Sequence, residues 1–102
     1  MYNDIYRKCD QLGAQVQERP ELGGVHFVII FGNGYGASIV SNPFTYGGLD
    51  GKFELAVIKG TLEEYDLVYD TPITCDVLGW LDLDDIPELL DDISRLDKDS
   101  GE

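Results

Sequence analysis

Few residues in this chain could act as a nucleophile with a general base. The one histidine is His26, and the two cysteines are Cys9 and Cys75. A Cys–His or Ser–His mechanism needs the imidazole beside the nucleophile, with a third group orienting it. No spacing in the sequence marks such a set, and a strand histidine more often serves packing or solvent contact. We therefore predict no catalytic residue and no cofactor, and an enzyme built on His26 with a cysteine is the less favoured alternative.

A glycine-rich segment, Gly32-Asn33-Gly34-Tyr35-Gly36, has the composition of a phosphate-binding loop. It lacks the Lys and Ser/Thr of a Walker loop, and it lies between two predicted strands rather than before a helix. The helix N-terminus that would bind phosphate is therefore missing. A hairpin turn is the preferred interpretation, because Asn-Gly tolerates positive φ at both central positions.

Three neighbouring aspartates, Asp82, Asp84 and Asp85, carry the side chains that calcium prefers. When the EF-hand pattern is counted from Asp82, three required positions fall on unsuitable residues. Those residues are Ile86, Pro87 and Ile93. We predict no metal site of this kind, and a loose surface site for a divalent ion at these aspartates is the alternative.

Negative charge is concentrated in the second part of the chain. The 102 residues contain 20 acids and 7 bases, for a net charge of −13. Residues 1–60 contain six acids and five bases, whereas residues 61–102 contain fourteen acids and two bases. Such a potential repels nucleic acids and anionic membranes and attracts basic surfaces. We therefore expect neither direct nucleic-acid binding nor membrane binding.

Four of these acids follow helical spacing on the face opposite a predicted leucine stripe. They are Asp84, Glu88, Asp91 and Asp92. Like charges three or four residues apart on a helix destabilise it by about 0.2–0.5 kcal/mol per pair. The face is either a solvated surface or a recognition surface that mimics nucleic acid and occupies a basic groove built for phosphates. In the second hypothesis these acids form the contact row. Three further acids extend the row: Glu63, Glu64 and Asp66.

Apolar spacing predicts a helix near the N-terminus. Its stripe at steps of three and four consists of Ile5, Cys9, Leu12 and Val16. Asn3 or Asp4 can cap this helix, which we expect to run to about Gln17. The glycine pair at positions 23–24 then indicates a turn.

A second helix is predicted near the C-terminus. Asp85 and Glu88 have the spacing of a capping box, and Pro87 lies in the first turn, where its missing N–H costs nothing. The apolar stripe of this helix consists of Ile86, Leu89, Leu90, Ile93 and Leu96. A single helical turn is expected at residues 76–81, which include Trp80.

Alternation of apolar and polar residues predicts the strands between these helices. We expect strands at residues 25–31, 35–40, 53–58 and 65–69, with a long irregular loop at residues 41–52. Residues 1–96 then form a single α+β domain: a four-stranded antiparallel sheet (meander) with an N-terminal and a C-terminal amphipathic helix. Residues 97–102 form a frayed acidic tail.

The helices would cover one face of this sheet and leave the other open. The open face would carry His26, Val28, Ile30, Ala56, Ile58 and Val68. Because monomers rarely expose large apolar patches, the alternative function is a homodimeric interaction module. Such a dimer would pair through this face or through Tyr35.

The cellular compartment is predicted from what the chain lacks. Residues 1–13 contain no apolar segment of a secretory signal, and no run approaches the roughly 18 apolar residues of a membrane span. We expect a cytoplasmic protein in which both cysteines are free thiols that act as small hydrophobic residues.

Several segments together resemble a group of small acidic accessory proteins encoded by tailed bacteriophages. They are GYGASIV at 34–40, FELAV at 53–57, YDTPIT at 69–74, VLGWL at 77–81 and the helix at 89–93. The resemblance assigns no functional residue. It implies a small protein of the host cytoplasm, where inhibitors of host nucleases, polymerases and CRISPR complexes are common. With the contact row, it predicts a non-enzymatic inhibitor that binds the basic groove of a nucleic-acid-processing protein.

Overall fold

The computed structural model describes residues 2–21, 23–41, 52–68 and 78–96. Its elements in chain order are α1 Asn3–Gln11, β1 Gln15–Glu21, β2 Gly24–Ile30, β3 Tyr35–Ser41, β4 Phe53–Gly60, β5 Tyr65–Leu67, β6 Leu78–Leu81 and α2 Ile86–Ser94. A single 3₁₀ turn, Leu83–Asp85, joins β6 to α2. Residues 42–51 of the predicted loop at 41–52, residue 69 of the predicted strand 65–69 and the tail at 97–102 lie outside the described residues.

The described strands form one antiparallel sheet. Strands β1 to β5 pair in sequence order, as in a meander, and β6 also pairs with β4. The free edge of β4 is shared: β5 takes its Ile58–Gly60 end and β6 its Phe53–Leu55 end. The predicted α+β class with an antiparallel sheet is confirmed, but the count of four strands is wrong because β1 and β6 were not predicted.

The main core lies between one face of the sheet and the two helices. Ile5 and Cys9 of α1 and Ile86, Leu90 and Ile93 of α2 are almost completely buried. They pack against every second residue of the central strands, as the two-residue period of a strand requires. The strand residues are Val25, Phe27, Ile29, Ala37, Ile39, Phe53, Leu55 and Val57. Burial of a large aliphatic or aromatic side chain stabilises the fold by about 1.5–3 kcal/mol.

The first helix is shorter than predicted. It ends at Gln11 because Gly13 adopts a φ of 67°, a left-handed conformation that glycine allows without strain. The Ala14 N–H donates to the Cys9 carbonyl at 2.8 Å and the Gly13 N–H to the Asp10 carbonyl at 3.2 Å, which together form a Schellman motif. The helix also begins without a side-chain cap, since its N-cap is Tyr2 rather than Asn3 or Asp4.

The residues beyond this stop form β1 instead of more helix. Val16 is opposite Ile29 in β2, and Pro20 is opposite Val25. A proline is tolerated here because, among the described strands, β1 pairs only with β2 and therefore lies at an edge of the sheet. Of the predicted turn pair, Gly23 lies between the two strands with a φ of 86°, whereas Gly24 already begins β2.

The second face of the sheet is not the open apolar surface that we predicted. Val28, Ile30 and Ile58 form a small core that is at most 7% exposed. Leu62 and Tyr65, from the β4–β5 connection and the start of β5, pack against it. The prediction is therefore wrong for these three residues.

Two hydrogen bonds fix the positions of the β4–β5 connection and of Val68, and the first of them accounts for this closure. The Arg19 guanidinium of β1 donates to the Leu62 carbonyl at 3.0 Å, which ties the β4–β5 connection to the opposite edge of the sheet. The Val68 N–H donates to the Val57 carbonyl at 2.8 Å, and Val68 packs against the main core. Val68 therefore lies on the helix-covered side, contrary to prediction.

Asn33, in the β2–β3 turn, fixes the C-terminal end of α2. Its Nδ2 lies 3.0 Å from the Ile93 carbonyl, 3.2 Å from that of Ser94 and 2.9 Å from that of Leu96. Its Oδ1 accepts from the Tyr35 N–H at 3.0 Å. The turn has positive φ at Gly34 but not at Asn33, so the hairpin is confirmed but not its expected pair of left-handed residues.

Candidate functional site

The entry to α2 is organised by two aspartates. The Asp82 side chain accepts from the Asp85 backbone, while the Asp82 N–H donates to Asp85 Oδ2 at 2.9 Å. This capping box replaces the one predicted on Asp85 and Glu88, and it closes the 3₁₀ turn rather than the helix itself. Lys52 forms an ion pair with Asp82. Pro87 lies in the first turn of α2, as predicted.

Two acids of the predicted contact row are paired with cations. Asp91 Oδ2 lies 2.9 Å from Lys8 Nζ, and both side chains are less than one-third exposed, so this ion pair joins α2 to α1. Asp92 Oδ1 lies 3.1 Å from Arg95 on the next turn of the helix, where both side chains are well exposed. Exposed pairs of this kind contribute only about 0–1 kcal/mol. Asp91 is therefore the acid most involved in holding the fold together.

The other two acids of the row point into solvent. Asp84 precedes α2 and Glu88 lies in its first turn, and both are exposed. Among the described residues, no cation pairs with either carboxylate. They are four residues apart, and Asp92 follows Glu88 at the same interval. The outer surface of α2 is thus negative along its whole length, with Arg95 as its one base in residues 78–96.

A groove runs beside this surface, between β6 and α2. Its volume is about 330 Å³. The lining combines three half-buried leucines with three carboxylates: Leu78, Leu81, Leu89, Asp85, Glu88 and Asp92. We call this the α2–β6 groove. It was not predicted, because residues 76–81 were expected to form a helical turn; the structure shows a strand at 78–81, and residues 76–77 lie outside the described part.

Trp80, next to the leucines of the α2–β6 groove, has an unusual backbone. Its φ is 58°, and its side chain is 59% exposed. The left-handed conformation costs a residue other than glycine about 1–2 kcal/mol. It arises where β6 carries an extra residue: Leu81 is opposite Phe53 and Leu78 is opposite Leu55, so three steps on β6 match two on β4. A β-bulge of this type redirects a side chain out of the regular sheet pattern.

The other three predicted acids lie elsewhere. Glu63 and Glu64 are exposed in the β4–β5 connection, whose Leu62 covers the second face of the sheet, whereas α2 covers the first. Asp66 is exposed on β5 opposite Lys59. The structure therefore does not join Glu63 and Glu64 to the α2 surface in one continuous row.

The residues considered for catalysis are separated by the sheet. His26 Nε2 lies 2.8 Å from Ser38 Oγ on the second face. Cys9 belongs to the main core on the first face, so His26 and Cys9 do not meet. Burial raises the pKa of the Cys9 thiol from 9.0 to about 11, which keeps it protonated and weakly nucleophilic at neutral pH. Cys75 lies outside the described residues.

The described part of the chain contains neither a candidate metal cluster nor a helix that could span a membrane. In residues 2–21, 23–41, 52–68 and 78–96, no group of three His, Cys, Asp or Glu side chains is arranged to hold a metal ion. Neither α1 nor α2 has the length and the apolar run required to cross a bilayer.

Tyr35 cannot provide the dimer contact considered above, because it is completely buried. Its ring lies under Lys59, whose Nζ is 5.2 Å from the ring centroid. Its hydroxyl has no hydrogen-bond partner among the described residues. Both surfaces expected to pair two copies are therefore largely internal to one copy.

No protein-family model matches this chain, and neither a curated protein nor a solved structure does. The features of this chain that bear on its function are therefore the outer surface of α2, the α2–β6 groove and the charges of both. The resemblance to phage accessory proteins stays a prediction.

Proposed function

We propose that this chain is a non-enzymatic accessory protein of the phage type that binds a nucleic-acid-processing protein. Its contact surface is the acidic face of α2, centred on Asp84, Glu88 and Asp92. Binding would occupy a basic groove that otherwise holds nucleic acid. The main support is the exposed pair Asp84 and Glu88, which no cation of the described residues neutralises.

The spacing of these acids suits a partner surface that normally binds the phosphates of a nucleic acid. Duplex DNA carries one negative charge per roughly 1.7 Å of its axis, and its binding proteins present arrays of Lys and Arg. Glu88 and Asp92, four residues apart in α2, lie on one side of the helix with Cβ atoms about 5–6 Å apart, and Asp84 adds an exposed carboxylate in the 3₁₀ turn before it. Such a surface also attracts a basic partner at long range, which accelerates association and makes it sensitive to salt.

We assign different roles within the predicted row. Asp91 is bound to Lys8, which supports a role for it in the α1–α2 contact. Glu63 and Glu64 belong to the β4–β5 connection rather than to α2, so they serve as comparison positions of the same charge.

The proposal is tested with immobilised protein and a lysate of the bacterial host, at low salt. Retained nucleic-acid-binding proteins should be eluted by duplex DNA, because DNA and the acidic face compete for the same groove. The double variant Asp84→Asn, Glu88→Gln should lose most of this retention. The matched control Glu63→Gln, Glu64→Gln removes the same amount of charge from the β4–β5 connection, and this variant should still retain the partner.

Two results would contradict the proposal. One is retention of proteins that high salt and DNA both fail to release. The other is equal retention by the α2 variant and the wild type. The homodimeric module is the second candidate from the sequence, but burial of Val28, Ile58 and Tyr35 removes its main support. We expect a monomer in sedimentation at micromolar concentration.

A further inference from the structure

The α2–β6 groove contains more than negative charge, since its floor is apolar. We propose that it binds an arginine-bearing segment of the partner protein, with the aliphatic stem of the arginine on the leucines and its guanidinium among the carboxylates. The inference rests on the proposed function, because it takes the partner to be basic. It adds the identity of the side chain on which recognition depends.

The chemistry of the lining selects this occupant. The three leucines offer an apolar surface, whereas the Glu88 carboxylate, which pairs with no cation of the described residues, would lose hydration without compensation under a purely apolar segment. Arginine satisfies both requirements, since its methylene stem packs on apolar surface and its planar head pairs with carboxylates in a bidentate manner. Lysine brings a compact, strongly hydrated charge and cannot form the bidentate pair.

Trp80 supplies a separate observation. It is not itself a lining residue of the groove, but it lies between the lining residues Leu78 and Leu81 on β6 and is the only tryptophan of the chain. Its indole is exposed, and its backbone conformation is one that glycine would adopt without strain. Packing within the protein therefore does not explain why a tryptophan occupies this position. Exposed tryptophan is enriched among the residues that dominate protein interfaces, and its ring is the best aromatic partner for a guanidinium.

The test uses the full chain and two synthetic probes of equal length, an oligo-arginine and an oligo-lysine peptide. Binding is followed by the fluorescence of Trp80 and by the anisotropy of labelled peptide. We expect saturable binding, a change in Trp80 fluorescence, and an affinity for oligo-arginine roughly tenfold above that for oligo-lysine. Equal affinities for the two peptides would overturn the arginine assignment.

Three variants locate the site. Glu88→Gln should weaken oligo-arginine binding roughly tenfold, since it removes a charged hydrogen-bond acceptor of the groove. Glu63→Gln removes one charge from the β4–β5 connection, outside the groove, and should change the affinity less than twofold. Trp80→Gly should weaken binding roughly three- to thirtyfold through loss of the ring, without lowering the thermal midpoint, because glycine accepts the φ of this position.

The outcomes separate the two proposals. If Glu88→Gln and Glu63→Gln weaken binding equally and Trp80→Gly has no effect, the groove inference fails while recognition by general negative charge survives. If neither peptide binds at low salt, recognition of basic surfaces fails as well, and the proposed function fails with it.

Discussion

Replacement of Asn33 should reveal how strongly the β2–β3 turn stabilises α2. The side chain has two N–H donors, shared among the carbonyls of Ile93, Ser94 and Leu96, and its oxygen accepts from the Tyr35 N–H. A hydrogen bond contributes about 1 kcal/mol net, and a partly buried group left unpaired costs about 1–3 kcal/mol. Asn33→Ala should therefore destabilise the protein by about 2–3 kcal/mol.

Asn33→Asp sharpens this prediction. The new carboxylate can still accept from Tyr35, but it loses both donors and places negative charge at the C-terminal end of a helix, which costs a further 0.3–1 kcal/mol or so. At neutral pH it should be at least as destabilising as Asn33→Ala, and the extra loss should disappear below about pH 4, where the carboxylate is protonated. The same change at Asn3, exposed in the first turn of α1, is favoured by the helix dipole and serves as the matched control.

Urea denaturation followed by circular dichroism measures these differences. For a domain of this size 1 kcal/mol corresponds to about 4–8 °C, so Asn33→Ala should lower the thermal midpoint by about 8–24 °C. A loss below about 0.5 kcal/mol in both Asn33 variants would refute the argument that this side chain holds the end of α2. Equal effects of Asn→Asp at positions 3 and 33 would refute its electrostatic part.

Three other measurements examine the packing around the helices. The hydrogen bond from Tyr6 to Glu18, at 2.5 Å, raises the pKa of Tyr6 from 10.0 to about 12, so its stabilising effect is complete below pH 10 and is lost as the pH rises toward 12. Tyr6→Phe should abolish this loss of stability in urea melts, and a tyrosinate titration with no group above pH 11 would contradict the assignment. Burial raises the pKa of Cys9 to about 11, so Cys9 should resist alkylation in the native protein and react in urea. Mass spectrometry of the peptide that contains Cys9 measures the extent of alkylation. Rapid alkylation in the native protein would show that Cys9 is accessible to solvent. Leu90→Ala should cost about 2–5 kcal/mol because Leu90 is fully buried, and Leu89→Ala should cost clearly less because Leu89 is partly exposed; the reverse order in urea melts would place the wrong face of α2 on the core.

The parts of the fold that sequence predicts well are those with repeated local signals. The strands at β2, β3 and β4 combine alternation with turn residues, and the stripe of α2 repeats from Ile86 to Leu96. β1 was missed because Val16 continues the spacing of α1 by chance. Gly13, which lies inside the predicted helix, was the signal for its end, since glycine commonly occupies the left-handed position after a helix.

The candidate site was predictable only where it depends on one element. Helical spacing correctly places Asp84 and Glu88 on an exposed surface. It cannot show that Asp91 meets Lys8, because these residues are 83 positions apart in the chain. The α2–β6 groove depends on pairing of β6 with β4, a contact that four residues, including a glycine and a strained tryptophan, do not reveal by periodicity.

Stability alone explains many of the acids but not the whole surface. Negative charge at Asp84 and Glu88 is favoured by the positive end of the α2 dipole, by about 0.3–1 kcal/mol each, and Asp91 is compensated by Lys8. The same reasoning fails for Trp80, because a left-handed φ and an exposed indole both oppose stability at a position where glycine would cost less. The residue that folding does not require lies on β6 between two leucines of the α2–β6 groove. Its presence between two leucines that line a groove with three carboxylates is the strongest reason to regard this end of the molecule as a recognition surface rather than a solvated one.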